Sequence, residues 1–186
     1  EIGCQWIWRD CFHVVNRCNF IITKIDNAKV SEKAYNEIKG QALFLRGLAY
    51  YELATYYQSV PIFNDYNQYS SLETMFAPNQ SQDAVLDQAE SDFKEAMAML
   101  PSRDAGGEFA KGRATSGAAA GYLARTYMFR HKYADALVLL KDIINGKYGH
   151  YELMADFGAN FMEGSAYENN AESLFEVQFL DKDQQG

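Results

Sequence analysis

Hydrophobic residues recur every three to four positions along most of the chain, which is the spacing of one face of an α-helix. Near the start they form a single seam, made up of Cys4, Trp8, Cys11, Val15, Cys18, Ile22 and Ile25. The seam predicts a long first helix that ends near Asp26-Asn27. Trp6 lies two positions before Trp8, so the two indoles cannot both face the core of the same helix.

A second helix is predicted to begin after Ser31, because a serine hydroxyl there can cap free N–H groups of the first turn. Apolar residues cover two faces of this helix, which indicates that it is packed on two sides. The helix is expected to end at Ser59-Val60-Pro61, because the residue before a proline avoids helical backbone angles. Residues 62–80 are polar and aromatic without a helical period, and we predict a loop there.

Two further helices are predicted from cap and stop signals. Ser81 caps a third helix, which Pro101 ends, and either Thr115 or Ser116 caps a fourth. Residues 117–121 in the fourth helix are all glycine or alanine. Such small side chains allow a neighbouring segment to approach this helix closely.

The last helix is predicted from about Lys132 to Asn145, because Gly146 stands where helices often end with a glycine. After Tyr148 the helical pattern fades. Residues Phe175–Phe179 alternate between apolar and polar with period two, which predicts a short strand. The tail is therefore expected to be less regular than the rest.

The fourth and fifth helices have the spacing of a tetratricopeptide repeat (TPR). The matching residues are Leu123, Ala124, Tyr127, Tyr133, Ala136 and Leu140. In such repeats, small residues at the helix crossing admit the rings of the partner helix. We predict an all-α fold of TPR-like helix hairpins (an α-solenoid), with pairs over about 32–101 and 115–146, a long loop insertion and a short C-terminal strand. Residues 1–186 are expected to form a single domain.

Composition excludes several functional classes. The net charge of −8 argues against nucleic acid and anionic lipid as partners, because both require a basic surface. No stretch approaches the ~20 consecutive apolar residues of a membrane span. The chain is rich in rings, with 13 Tyr, 12 Phe and 2 Trp. Most of these rings are expected in the core, although Tyr and Trp also suit a sugar-binding surface, since one ring face packs on apolar groups while the polar tip forms hydrogen bonds.

The three cysteines are expected to act as small apolar residues of the first helix. Cys4, Cys11 and Cys18 are spaced seven residues apart, about 10.5 Å along a helix, so they cannot form disulfides with one another. The same spacing prevents them from converging on one metal ion with His13.

No metal or cofactor is predicted elsewhere. His13, His131 and His150 are far apart in the sequence and lack the spacing of metal ligands. The segment Asp65-x-Asn67-x-Tyr69-x-Ser71 is only faintly similar to a calcium-binding loop. Such a loop requires Gly at its sixth position and an acid at its twelfth, and the sequence has Ser and Phe there.

Longer motifs carry a resemblance to the SusD/RagB family. Residues 42–51 and the following Ser59-Val60-Pro61-Ile62 are similar to the FLRA-x-x-Y helix of that family and its G-x-(V/I)-P exit, with Ser59 where Gly is usual. Residues 112–119 resemble its G-R-A-T-x-x-A-A helix start. Residues 144–148, 170–179 and 8–19 resemble I-x-S-G-x-Y, N-x-E-(S)-I-F-E-x-Q-F and the W-x-x-x-(Y)-x-x-I-x-x-x-N helix. The motifs fall in the family's order and span almost the whole chain.

This resemblance implies a function. Family members are lipid-anchored proteins on the outer-membrane surface of Bacteroidetes that bind glycans, or sometimes peptides, over a TonB-dependent SusC-type transporter. The lipidated N-terminal segment and the long C-terminal region of the family have no counterpart in the sequence. We therefore expect a fragment of a longer protein, cut at both ends and lacking part of the ligand site.

Trp6 and Trp8 are the candidate ligand-binding residues, because they open the first helix beside the region where the ligand sites of the family gather. Trp8 continues the seam and could instead be core, whereas Trp6 lies off the seam. Tyr66 and Tyr69 in the insertion are second candidates. Arg46 and Arg113 recur in the family motifs. They could contact ligand, but we favour a structural role in bridging carboxylates and helix ends, given the planar donor fork of arginine.

The chain is not expected to be an enzyme. It contains no G-x-S-x-G, phosphate-binding loop or H-E-x-x-H motif. Its carboxylates are scattered along helix faces, which solvated surfaces explain better than a glycosidase acid pair does. The main alternative function is a generic TPR scaffold that binds peptide tails in a concave groove. A weaker alternative is a helical glycoside-processing enzyme.

Overall fold

The computed structural model describes residues 2–107, 111–162, 164 and 167–178. Within these ranges the structure has seven α-helices: α1 Ile2–Ile25, α2 Glu32–Tyr57, α3 Leu72–Met75, α4 Gln82–Met99, α5 Arg103–Gly106, α6 Ser116–Phe129 and α7 Tyr133–Ile144. Two 3-10 helices, Tyr66–Ser70 and Phe157–Phe161, add to these. The same ranges contain no sheet, only a bridge between Val60 and Gln80. The predicted all-helical class is confirmed.

Helices α2, α4 and α6 begin where their capping residues predict. The side-chain oxygens of Ser31, Ser81 and Thr115 each accept a hydrogen bond from the backbone N–H three residues later, at 3.2–3.3 Å. These bonds satisfy N–H groups that have no partner inside the helix. Between Thr115 and Ser116, the structure assigns the cap to Thr115.

The long helices pack on one another in chain order: α1 on α2, α2 on α4, α4 on α6 and α6 on α7. The centre of this stack is a cluster of rings from Phe44, Phe93, Tyr122 and Phe175. The Phe44 centroid lies 5.9, 5.5 and 4.9 Å from the other three. Phe44 and Phe93 are fully buried, so one aromatic core joins α2, α4 and α6. The assignment of these helices to TPR-like pairs stays a prediction.

The glycine–alanine run of α6 allows the close approach that the sequence predicts. Ala118, Ala119 and Ala120 are fully buried. A Cβ atom added to Gly117 would lie only 2.9 Å from carbon atoms of the Tyr151 ring. The absence of a side chain at Gly117 is therefore required for Tyr151, in the segment after α7, to pack against α6.

Two of the six TPR-pattern residues do not lie in the core. Tyr133 and Leu140 are 55% and 40% exposed, whereas Ala136 is fully buried. Leu139 and Ile143 pack inward on α7 in their place. Residues 136, 139 and 143 recur at the i, i+3, i+7 spacing of one helix face, and this face packs against α6.

The insertion and the tail also differ from prediction. Residues 62–80 are not a loop throughout, because they include the first 3-10 helix and α3. Asp65 starts the 3-10 helix by accepting a hydrogen bond from the Asn67 N–H. The predicted strand over Phe175–Phe179 is not confirmed: residues 175–178 form no strand, and Phe179 lies outside the described residues.

The apolar seam of α1 is buried along most of its length but not at its start. Val15, Cys18 and Ile25 are buried and Cys11 is half-buried, as predicted. Cys4 is exposed, so its assignment to the packed seam is wrong. Burial raises the pKa of Cys11 to about 11 and that of Cys18 to about 12, which keeps both as neutral thiols near pH 7.

Candidate functional site

A surface groove of about 430 Å³ lies where α1 meets the insertion. We call it the aromatic groove. Its apolar lining consists of Trp8, Phe12, Pro61, Phe63, Tyr69 and Met75. Its polar lining consists of His13, Asn16 and Arg17, all from α1. The groove therefore combines ring faces on one side with hydrogen-bonding groups on the other.

Trp8 is held in place by the end of α2. Its indole meets the Tyr57 ring edge-to-face, with centroids 5.1 Å apart, and the Phe12 ring at 4.8 Å. The Tyr57 hydroxyl accepts a hydrogen bond from the backbone N–H of Trp8 at 3.1 Å and donates one to the carbonyl of Cys4. The first turns of α1 are thereby fixed to α2, which orients the indole.

The opposite wall of the groove is formed by rings of the insertion. Phe63 stacks on Tyr69 with centroids 5.2 Å apart and meets Phe12 edge-to-face at 6.1 Å. The Tyr66 ring packs on the Tyr69 ring, with centroids 5.9 Å apart. Burial raises the pKa of Tyr69, although hydrogen bonds with Asn19 and Asn16 oppose the shift. Tyr69 is therefore a neutral phenol that can both donate and accept hydrogen bonds.

Buried Tyr50 anchors the insertion at Phe63. The Tyr50 hydroxyl donates to the Phe63 carbonyl and accepts from the Phe63 N–H, both at 2.7 Å. Burial raises the pKa of Tyr50, so the hydroxyl keeps the proton that this pair of bonds requires. The Asn19 side chain donates a second hydrogen bond to the same carbonyl at 2.8 Å.

A buried ion pair also supports the wall of the groove that the insertion forms. The Arg46 guanidinium donates two hydrogen bonds to Asp92, at 2.6 and 2.8 Å, and one to the Asn19 side chain at 2.7 Å. It also donates to the backbone carbonyl of Asn64 at 3.0 Å. Burial raises the pKa of Asp92, and the hydrogen bonds and positive charge of Arg46 act against this rise. The structural role favoured for Arg46 is thus observed, and its burial excludes contact with ligand.

The polar side of the groove is provided by one face of α1. His13 and Arg17 lie four residues apart, which places them one above the other on the helix surface. Both are exposed, and among the described residues neither forms a hydrogen bond or an ion pair. Asn16, between them and the rings, is half-buried and bonds to Tyr69. The His13 and Arg17 side chains are therefore available to bind a polar ligand.

A second cavity of about 320 Å³ adjoins the aromatic groove. It is lined by Gln5, Trp6, Trp8 and Arg9, so Trp8 lines both spaces. Trp6 is 52% exposed, and the Arg9 guanidinium lies over its ring, 4.2 Å from the centroid. The two cavities therefore share Trp8 as a lining residue.

The structure places the four aromatic candidates as follows. Trp8 and Tyr69 both line the aromatic groove, although they come from distant parts of the chain. Trp6 lies in the adjoining cavity, on the exposed side that its position outside the seam predicts. Tyr66 does not line either cavity; its ring packs on Phe20, with centroids 5.1 Å apart. Whether any of these residues binds a ligand stays a prediction.

The sequence alone did not identify the remaining groove residues. Phe12 and Phe63 had no motif that distinguished them from core rings. Asn16 and Arg17 could have been found from their position on α1, because they lie off the apolar seam and on the side of the helix that carries His13.

A larger cavity of about 540 Å³ lies between α5 and the segment after α7. Arg103 forms part of it and donates hydrogen bonds to the backbone carbonyls of residues 169, 170, 171 and 173, at 2.7–3.2 Å. This guanidinium therefore holds the tail in place rather than facing a ligand. Arg113 also lines the cavity and is exposed.

Within the described ranges, no group of three or more His, Cys, Asp or Glu side chains could hold a metal ion. Asp65, the first residue of the faint calcium motif, instead accepts hydrogen bonds from Asn67 and Thr23. In the part of the chain that the structure covers, no helix is long and apolar enough to cross a membrane.

Comparison with solved structures identifies similar folds. A SusD-like carbohydrate-binding protein from Bacteroides fragilis superposes with a TM-score of 0.85 at 26% identity, covering 95% of this chain and 33% of that one. Surface glycan-binding protein A from Bacteroides fluxus superposes with a TM-score of 0.76 at 27% identity, covering 91% of this chain and 35% of that one.

Sequence comparisons agree with the structural ones. SusD-like protein P25 from Formosa agariphila is 24% identical over 177 residues, which cover 92% of this chain and 31% of that protein. The chain thus spans about a third of the length of its relatives. A SusD-like family model, described as starch-binding and associating with the outer membrane, matches residues 4–128. This match covers most of the chain, which therefore belongs to the SusD-like family.

Proposed function

We propose that this chain binds an oligosaccharide in the aromatic groove, as part of a protein that captures glycans at the cell surface. The observation that carries the proposal is the meeting of Trp8 and Tyr69 in one groove. Family membership and the functions of two relatives, carbohydrate binding and surface glycan binding, support it.

The chemistry of the groove suits a sugar. Pyranose rings have apolar C–H faces and a rim of hydroxyl groups. The faces pack on aromatic rings such as Trp8, and the hydroxyls need donors and acceptors within reach. Asn16 offers both from its amide, and Tyr69 offers both from its phenol. Because Tyr50 and Tyr57 fix the two walls through hydrogen bonds, little conformational entropy is lost when a ligand binds.

The finer parts of the proposal are delivery of the glycan to a SusC-type TonB-dependent transporter and attachment of the protein to the outer membrane by a lipid anchor. Both are inferred from membership of the SusD-like family, which is described as associating with the outer membrane. The test is to purify the full-length protein from outer membranes in detergent. Recovery of a TonB-dependent transporter with it is expected, and its absence from the purified material would contradict the delivery step.

We also propose binding without hydrolysis. No carboxylate is among the described residues that line the aromatic groove, whereas glycoside hydrolysis normally uses two. Incubation of the protein with a panel of polysaccharides should therefore release no new reducing ends. An accumulation of product that is absent from a heat-inactivated control would contradict this part.

The central experiment compares oligosaccharide binding by Trp8→Ala, Tyr69→Ala and Trp6→Ala with binding by the wild-type full-length protein. Tyr133→Ala is the matched control, because it removes an exposed ring on α7, away from the groove. Loss of a well-used aromatic contact typically costs about 1–3 kcal/mol of binding free energy. Isothermal titration calorimetry should show this loss for the Trp8, Tyr69 and Trp6 variants and none for the control.

Thermal unfolding separates binding from folding effects. Trp6 is exposed, so Trp6→Ala should leave the melting temperature almost unchanged. Trp8 also packs on Tyr57, so its replacement lowers stability as well, and Tyr69→Ala provides the second test of the groove. Equal affinities for all variants that remain folded would place the glycan site elsewhere.

A further inference from the structure

We infer that the aromatic groove selects glycans that carry negative charge, with Arg17 as the side chain that binds the anionic group. This inference rests on the proposed function and specifies its ligand class: an oligosaccharide with carboxylate or sulfate groups. The two groups share the chemistry that matters here, which is an anion with two or more acceptor oxygens.

The charge of the groove is opposite to that of the chain. The chain as a whole has a net charge of −8. The ionisable side chains on the polar side of the groove are those of His13 and Arg17, and Arg9 lines the adjoining cavity. Neither lining contains a carboxylate among the described residues. A neutral sugar does not require this local reversal of charge, whereas an anionic one is attracted by it.

Two arginines and a histidine lie along the stretch of α1 that lines the two cavities. Arg9, His13 and Arg17 are spaced four residues apart, so they form one row on α1, about 6 Å from one to the next. The row extends from the cavity beside Trp6 to the groove beside Tyr69. An oligosaccharide that lies on Trp8 would therefore lie beside this row.

Arg17 differs from the other arginines whose contacts are known. Arg46 and Arg130 bind carboxylates, and Arg103 binds backbone carbonyls. Arg9 packs over the Trp6 ring and donates a hydrogen bond of 3.0 Å to the Asp10 carboxylate. Arg17 has no hydrogen-bond or ion-pair partner in the described part of the chain. Its planar fork of N–H donors matches the paired oxygens of a carboxylate or a sulfate.

The inference is tested by the binding of three oligosaccharides of similar length to the full-length protein. Oligogalacturonate provides carboxylates, a carrageenan oligosaccharide provides sulfates, and laminari-oligosaccharide is neutral. The variants are Arg17→Gln and the matched control Lys29→Gln, which removes the same charge from an exposed residue after α1. Titrations are carried out at about 0.01 M and about 1 M salt, where charges are screened beyond about 30 and 3 Å respectively.

At low salt, we expect wild-type protein to bind at least one anionic oligosaccharide more tightly than the neutral one. Arg17→Gln should weaken that binding about fivefold, the scale of an exposed charge pair, and the difference should shrink at high salt. Lys29→Gln should change none of the affinities. The anionic probe that loses affinity in Arg17→Gln identifies carboxylate or sulfate as the recognised group.

Other results would overturn the inference. If Arg17→Gln binds every probe as wild type does while Trp8→Ala weakens binding, the groove is a glycan site without charge selection. If Arg17→Gln weakens neutral and anionic probes equally, Arg17 shapes the groove and does not select charge. If no probe binds, or if Trp8→Ala and Tyr69→Ala also leave binding unchanged, the proposed function fails together with the inference.

Discussion

The buried Arg46–Asp92 pair provides the sharpest test of how the groove is supported. The Arg46 and Asp92 side chains are only 6% and 1% exposed, and Arg46→Met would keep most of the side-chain volume while removing the guanidinium. Asp92 would then lose two hydrogen bonds and its only ion-pair partner among the described residues. The Asn64 carbonyl and the Asn19 side chain would each lose one donor.

The magnitude follows from the burial of the charge that remains. Removing one member of a buried ion pair typically lowers the free energy of unfolding by about 3–5 kcal/mol, because the other charge is left without compensation. A domain of ordinary stability has about 5–15 kcal/mol in total, so Arg46→Met should remain folded but only marginally. Replacing both members with apolar residues is often close to neutral. The double variant Arg46→Met/Asp92→Leu should therefore recover at least half of the lost stability.

Urea unfolding, followed by circular dichroism, measures these differences. A double-mutant cycle over Arg46→Met, Asp92→Leu and the double variant gives the coupling between the two side chains. A loss below about 1 kcal/mol in Arg46→Met, or a double variant as unstable as the sum of the single ones, would refute the argument from buried charge. In the double variant, ligand binding should still be weaker than in wild type, because the wall at Asn64 has lost an anchor.

Three further predictions concern packing, thiol chemistry and the tail. Ala136→Leu should lower the free energy of unfolding by about 1–3 kcal/mol through overpacking, whereas Ala134→Leu on the exposed face of α7 should not, as denaturant titration will show. At pH 7.5, maleimide should label exposed Cys4 first and buried Cys18, with its pKa raised to about 12, only after unfolding; equal rates in the native protein would contradict this burial. Arg103→Met should speed hydrogen exchange at residues 167–178 with little change in melting temperature, and unchanged exchange would show that its bonds to backbone carbonyls do not hold the tail.

Local signals made the helices predictable. The caps at Ser31 and Ser81 were predicted correctly, and Thr115 is one of the two candidates predicted for α6. They were predictable because a cap is a contact over three residues, which the sequence shows directly. The orientation of α7 was less predictable. Its residues are apolar on more than one face, and only the packing partner α6 decides that Leu139 is buried and Leu140 is not.

The groove depends on contacts between distant parts of the chain. Trp6 and Trp8 were predicted as candidates, and the seam correctly separated the exposed indole from the packed one. No local pattern shows that Trp8 and Tyr69 meet in one groove, because their meeting requires the insertion to fold back on α1. The short helices within the insertion were missed for a similar reason. They contain few apolar residues and depend on polar caps such as that of Asp65.

The anchoring of the insertion has an evolutionary consequence. Tyr50 forms hydrogen bonds with the N–H and carbonyl of residue 63, and Arg46 donates one to the carbonyl of residue 64. Both side chains therefore bind main-chain atoms. A carbonyl is common to all twenty amino acids, so the side chains that follow this point can be exchanged while the attachment persists. The helical scaffold can therefore remain constant while the insertion diversifies, which allows a lineage to acquire new ligand preferences without refolding its core.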